Sequence, residues 1–128
     1  MQTPGLDHVI LTVGDVARSR EFYGDLLGFD TIILQDDPDK SFYFSAGGVQ
    51  FFFFPSREPV PGDRFSEFRV GLDHLSFIAP SREALDQLTN KLLAAGVETK
   101  GAEQFAPTGN WYVAFRDPDN IQLEYWLP

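Results

Sequence analysis

Apolar positions change their spacing along the chain, and they do so twice in the same order. Val9-Ile10-Leu11-Thr12-Val13 is a β-branched run of strand type. Gly14-Asp15 follows, with Asp15 suited to accept hydrogen bonds from the free N–H groups of a helix start. Val16, Phe22, Tyr23, Leu26 and Leu27 then recur at helical spacing as far as Gly28, a natural helix-ending residue. The second half repeats this plan with a strand over 75–79, Ser81 as N-cap, Leu85, Leu88 and Leu92 on one helical face, and Gly96 as the stop. After each helix come further strand-type runs, at 41–45 and 49–54 in the first half and at 110–114 and 121–126 in the second. The turn Asp117-Pro118-Asp119-Asn120 before the last strand has Pro where φ is fixed and Asn where left-handed geometry is tolerated. Each half therefore reads β-α-β-β-β. The pattern predicts an α+β domain of two modules, about 1–56 and 71–128. Between them, 57–70 carries Pro59, Pro61 and Gly62, has no clear period, and reads as a linker that can serve as a lid.

The repeat is also literal. Gly5-Leu6-Asp7-His8 recurs as Gly71-Leu72-Asp73-His74, and these two histidines are the only ones in the chain. Side chains alternate along a strand, so His8 shares a face with Ile10 and Thr12, and His74 shares one with Ser76 and Ile78. In the last strand Glu124 shares a face with Gln122 and Trp126. A carboxylate between Leu123 and Tyr125 is costly to bury without a partner. Two neutral imidazoles and a carboxylate suit iron, manganese, zinc, nickel or cobalt, and they leave coordination positions open for water, substrate or dioxygen. The alternative is that both histidines are strand-edge residues and Glu124 is solvated.

Composition narrows the chemistry. At 128 residues the chain fits one ordinary domain that needs no metal to hold its core together, so a metal here would be functional. The absence of cysteine excludes thiolate nucleophiles, Cys-type zinc sites and disulfides. A net charge of −9, from 10 basic and 19 acidic residues, argues against a nucleic-acid partner. Asp36, Asp37 and Asp39 lack the Gly and distal Glu of a calcium loop and read as a solvated turn. The first residues show neither a basic nor an apolar signal segment, so a cytoplasmic protein without a membrane partner is expected.

The 13 phenylalanines imply a ring-packed core or a ring-lined pocket. On the histidine-bearing faces fall Tyr43, Phe52, Phe54, Tyr112 and Trp126, with Gln50, Gln122, Ser76 and Thr12 as polar points. Such a lining suits a flat or apolar organic ligand held by a few hydrogen bonds. Arg116 is the nearest strand-borne cation and a candidate to hold a substrate carboxylate. Arg57, Arg64 and Arg69 in the linker are weaker candidates of the same kind.

Taken together, Asp7-His8-Val9, Phe22-Tyr23-Gly24-Asp25-Leu26-Leu27-Gly28-Phe29, Asp73-His74-Leu75-Ser76-Phe77 and Arg116-Asp117-Pro118-Asp119-Asn120-Ile121-Gln122-Leu123-Glu124 resemble the vicinal oxygen chelate superfamily. That group includes glyoxalase I, bleomycin-binding proteins, fosfomycin-resistance transferases, methylmalonyl-CoA epimerase and type I extradiol dioxygenases. The resemblance implies paired βαβββ modules forming a curled, cup-like mixed sheet around a divalent metal ion, with helices on the outer face. It also implies ligands from the first strand of each module and the last strand of the second, which here are His8, His74 and Glu124.

A fourth family position lies on the last strand of the first module. The internal alignment sets Phe52 there, opposite Glu124, and Gln50 reaches it only if the register slips by two residues. The carboxylate that resembles the proton shuttle of glyoxalase I and the epimerase is thus missing. The remaining three-ligand pattern is similar to extradiol dioxygenases and fosfomycin-resistance enzymes. Those families carry a tyrosine ten residues before the glutamate, where this chain has Ala114, so Tyr112 is the candidate catalytic tyrosine.

The resemblance thus implies a metal-dependent enzyme, iron(II) being favoured over manganese, zinc, nickel or cobalt, that acts on a small aromatic or enolic substrate. It inclines to dioxygenase chemistry, and it allows the cup to be completed within one chain or across a two-fold dimer. The edges and apolar faces left by a sheet curl built from two halves favour a homodimer. A glyoxalase-like lyase or isomerase and a non-catalytic binder of the bleomycin-resistance type are the alternatives.

Overall fold

Two stretches of chain fold by the same rule, and the computed structural model, which describes residues 1–128, divides into two compact units at 1–63 and 64–128. In the first unit β1 (His8–Val13) leads into α1 (Val16–Arg20), whose N-cap Asp15 accepts a 3.0 Å bond from the Arg18 N–H. Three strands follow: β2 (Ile32–Ile33), β3 (Phe42–Ala46) and β4 (Val49–Pro55), in the sheet order β1-β4-β3-β2. The second unit repeats the plan with β5 (His74–Ile78), α2 (Arg82–Ala94), β6 (Ala102–Gln104), β7 (Trp111–Arg116) and β8 (Gln122–Leu127), in the order β5-β8-β7-β6. Ser81 caps α2 by accepting from the Ala84 N–H at 3.1 Å, and Gly28 and Gly96 take positive φ of 85° and 74° where the helices end. The fold is α+β, with two four-stranded mixed sheets.

Within each sheet the first strand pairs in parallel with the last, and the other pairings are antiparallel. Alternation then sorts side chains onto two faces. Leu11, Val13, Phe42, Phe44, Phe51 and Phe53 are buried on one face of the first sheet, as are Phe77, Val113, Phe115 and Leu123 on one face of the second. Six of the 13 phenylalanines are accounted for here. Phe53 is completely buried, stacked at 4.5 Å on Phe42 and tilted at 4.5 Å against Tyr23. In the second unit Leu85 and Leu92 of α2 supply the complementary apolar stripe.

The first helix departs from the uniform α-helix expected over 16–27. After Arg20 the backbone widens into a π-helical segment over Glu21–Leu26, with the Leu27 N–H reaching the Phe22 carbonyl at 3.0 Å. Both Phe22 and Tyr23, consecutive in sequence, are buried there. The edge strands β2 and β6 were located by no apolar run. Ile32 and Ile33 are exposed, and Ala102–Gln104 is too short for a period to show.

The segment 57–70 forms no strand or helix, but its second part is not loose. The Phe65 N–H bonds the Asp119 carbonyl at 3.0 Å, the Asn120 amide donates to the Phe65 carbonyl at 2.9 Å, and Arg64 donates to Asn120 Oδ1 at 2.9 Å. Asn120 adopts the expected left-handed conformation, with φ of 69°. Asp117 accepts from the Asp119 and Ile121 N–H groups at 2.9 and 2.8 Å, closing the β7–β8 turn. Arg64–Val70 is therefore a strap fastened to that turn. No helix is long and apolar enough to cross a membrane.

Truncating Phe53 removes a ring held on both sides by others. Phe53→Ala is expected to lower unfolding stability by about 3–5 kcal/mol in urea titrations. An unchanged midpoint would contradict the packing described.

Candidate metal and substrate site

The parallel pairing of β5 with β8 decides which polar groups meet. Its register sets His74 beside Gln122, Ser76 beside Glu124 and Ile78 beside Trp126, and β7 sets Ala114 beside Glu124 and Tyr112 beside Trp126. These residues share the sheet face turned away from the buried core. His74 Nε2 lies 3.4 Å from Glu124 Oε1, and the Glu124 side chain is only 13% exposed. An open pocket of about 990 Å³ in this unit is lined by His74, Glu124, Gln122, Tyr112, Trp126 and Arg116, among others. All six of the expected site residues that lie in this unit are therefore brought to one cavity.

The first unit has the same plan with different chemistry. Its register sets His8 beside Gln50, Ile10 beside Phe52 and Thr12 beside Phe54. By this register Gln50 corresponds to Gln122, and Phe52 corresponds to Glu124. In the pairing seen here Gln50 therefore does not take the carboxylate's place. Phe52 instead meets the His8 imidazole in a T-shaped contact at 6.0 Å, stacks on Tyr43 at 5.1 Å and stacks on Phe54 at 6.2 Å.

Each histidine is held by the residue before it. Asp7 Oδ1 lies 2.7 Å from His8 Nδ1, and Asp73 Oδ1 lies 2.6 Å from His74 Nδ1. A carboxylate on Nδ1 places the proton there and leaves Nε2 with its lone pair outward, the arrangement that orients metal-binding imidazoles. The Asp73 hydrogen bond is also the main reason the His74 pKa is raised. Partial burial opposes it and the Glu124 charge adds to it. Asp7 and Asp73 were visible in the repeated tetrapeptide, but attention to the histidines alone passes over their role.

The donor set fits a metal ion. Two ligands at about 2.0–2.2 Å from one ion, subtending about 90–110°, lie roughly 2.8–3.6 Å apart. The 3.4 Å between His74 Nε2 and Glu124 Oε1 falls in that range, and it is long for a hydrogen bond. Neither unit by itself gathers three such side chains.

Tyr112 stacks on Trp126 at 6.0 Å, and Phe105 meets the Trp126 ring edge-on at 5.6 Å. Burial, then the charges of Glu103 and Glu124, raise the Tyr112 pKa, so its hydroxyl is a proton donor at neutral pH. Arg116, the candidate to hold a substrate carboxylate, already holds a carboxylate of the protein. Its guanidinium grips Glu67 at 3.0 Å from Nη1 to Oε2 and at 2.5 Å from Nη2 to Oε1. The aperiodic 57–70 stretch gave no sign of this partner. Bonding to Arg116 holds the Glu67 carboxyl down at about 2.

With this geometry in place, the comparisons with known proteins identify the class. The chain belongs to the Glyoxalase/Bleomycin resistance protein/Dioxygenase superfamily, whose family model matches residues 5–125. A solved glyoxylase/bleomycin resistance protein/dioxygenase domain from Frankia sp. EAN1pec is 33% identical, with a TM-score of 0.80 and 98% of each chain covered. The uncharacterized protein YqjT of Bacillus subtilis is 30% identical over 96% of this chain and 98% of its own length. The catechol-2,3-dioxygenase of Bacillus subtilis is 27% identical over 86% of this chain, which spans 40% of that protein. The superfamily thus includes metal-dependent enzymes acting on small molecules.

A depressed carboxyl contributes stability that is complete above its unfolded value, 4.5 for Glu67, and is lost as pH falls toward about 2. The stability difference between the protein and Glu67→Gln is accordingly expected to be constant near neutrality and to vanish between pH 4.5 and 2 in urea unfolding at stepped pH. A difference independent of pH would contradict the assignment.

Proposed function

We propose that this protein is a divalent-metal-dependent enzyme that binds a small aromatic or enolic substrate through two neighbouring oxygens, with dioxygenase chemistry as the first choice. The observation that carries the reading is the His74–Glu124 pair, 3.4 Å apart on the wall of a ring-lined pocket. His8 is proposed as the third ligand because it shares His74's place in the repeat and its aspartate-held Nδ1. It would come from the same chain or from the second copy of a homodimer. A bound divalent ion, iron(II) by preference, would supply Lewis-acid polarisation and an open position for dioxygen.

The chain's own groups would do the rest. Trp126 and Phe105 offer ring faces and edges to a flat substrate. The protonated Tyr112 hydroxyl can deliver a proton to a departing or developing oxyanion. Phe52, standing where a fourth ligand or carboxylate base would be, supports an open-site reaction over proton shuttling at carbon. That preference separates the dioxygenase reading from the lyase or isomerase one.

Anaerobic reconstitution with iron(II), followed by dioxygen uptake over catechol and related enols, tests the proposal. Uptake is expected with at least one of them, and Glu124→Ala is expected to lose at least about 100-fold of it. Uptake with none would remove the dioxygenase reading, and turnover retained in Glu124→Ala would remove the ligand assignment. Asp73→Asn is expected to weaken metal binding about 10–100-fold in calorimetric titration, since it releases the His74 tautomer.

The Tyr43–Phe52–Phe54 ladder favours a second reading, a metal-free binder of aromatic compounds. Elemental analysis of the purified protein separates the two, because the binder retains no stoichiometric ion.

A further inference from the structure

The end of the pocket away from Trp126 holds a fixed polar chain. Arg116 binds Glu67 with both terminal nitrogens, donates from Nη1 to the Asn120 carbonyl at 3.2 Å, and donates from Nη2 to Gln122 Oε1 at 3.3 Å. A guanidinium has donors and no acceptor, so Gln122 must turn its oxygen toward Arg116. Its N–H₂ group is then directed away from Arg116, on a residue paired in register with His74 and two positions from Glu124.

Glu67 does not reach Arg116 by chance. It rides on the strap that Phe65 and Arg64 fasten to the β7–β8 turn through Asp119 and Asn120. A bidentate carboxylate–guanidinium pair is the same contact that a substrate carboxylate would make. Here the protein makes it internally. Glu67 stays ionised well below neutral pH, so the pair with Arg116 persists wherever a substrate carboxylate is also ionised and would compete for it.

We propose that Glu67 is a specificity-determining residue: by occupying Arg116 it withdraws the cation beside Gln122 as a carboxylate anchor and leaves the Gln122 amide as a donor, so this end of the pocket selects an uncharged oxygen-chelating ring over its carboxylate-bearing analogue. This rests on the reading of the pocket as the substrate site. It replaces the substrate-anchoring role expected of Arg116 with a positioning role, in which Arg116 orients Gln122.

The test uses catechol and 3,4-dihydroxybenzoate, which differ by one carboxylate, titrated anaerobically by calorimetry into zinc-loaded protein, Glu67→Gln, and Glu67→Gln/Arg116→Gln. Catechol is expected to bind at least about 10-fold more tightly than the acid to the unaltered protein. Glu67→Gln is expected to improve the acid about 10–100-fold, the range of a charge-assisted contact, with catechol little changed. The double variant is expected to lose that gain, which shows that it came from the released guanidinium and not from a loosened strap. An unchanged ratio of the two affinities in Glu67→Gln, or a preference for the acid in the unaltered protein, would overturn the specificity role alone. Failure of both probes on the unaltered protein would overturn the substrate-site reading and this inference with it.

Discussion

Everything at the site depends on the parallel pairing of each unit's first strand with its last. Strands that are distant in sequence and run the same way must be joined by a crossover, and α1 and α2 with the strands after them provide it. Once β5 lies beside β8 in the observed register, alternation sends Phe77 and Leu123 into the apolar core and puts His74, Gln122 and Glu124 on the other face. A slip of one residue would bury a carboxylate and expose a leucine. The burial that stabilises the sheet therefore also fixes the polar side chains opposite it.

The same constraint acts in the first unit and yields something else. Its register delivers His8, Gln50 and Phe52 to the places of His74, Gln122 and Glu124. The backbone is repeated while one side chain has changed from an anion to a ring. Where one unit holds a histidine 3.4 Å from a carboxylate, the other holds a histidine 6.0 Å from a phenyl centroid. A T-shaped contact between an imidazole and a phenyl ring is a comfortable apolar contact, and it offers no second ligand. This asymmetry carries the argument for an open, three-ligand centre.

Much of the fold was legible in the sequence because its signals are local. Asp15 and Ser81 as caps, Gly28 and Gly96 as stops, and the left-handed Asn120 all act within a few residues of themselves. The histidine faces were legible because strand alternation is strict. What stayed hidden was decided by contacts across the chain. Glu67 lies 49 residues from Arg116 in a stretch without periodicity, and nothing near it in sequence marks it as an ion-pair partner. The π-helical widening at Glu21–Leu26, where the consecutive Phe22 and Tyr23 are both buried, is not revealed by helical spacing. Asp7 and Asp73 were in plain view, and only the distances to the imidazoles give them a purpose.

The central proposal is that both histidines of the repeat ligate one ion through Nε2. Electron spin echo spectroscopy on copper(II)-loaded protein tests it directly, because the remote nitrogen of each coordinated imidazole modulates the echo. The account predicts two imidazoles in the unaltered protein and one in either His8→Ala or His74→Ala. A spectrum with no imidazole modulation, or one unchanged by removing either histidine, would contradict it.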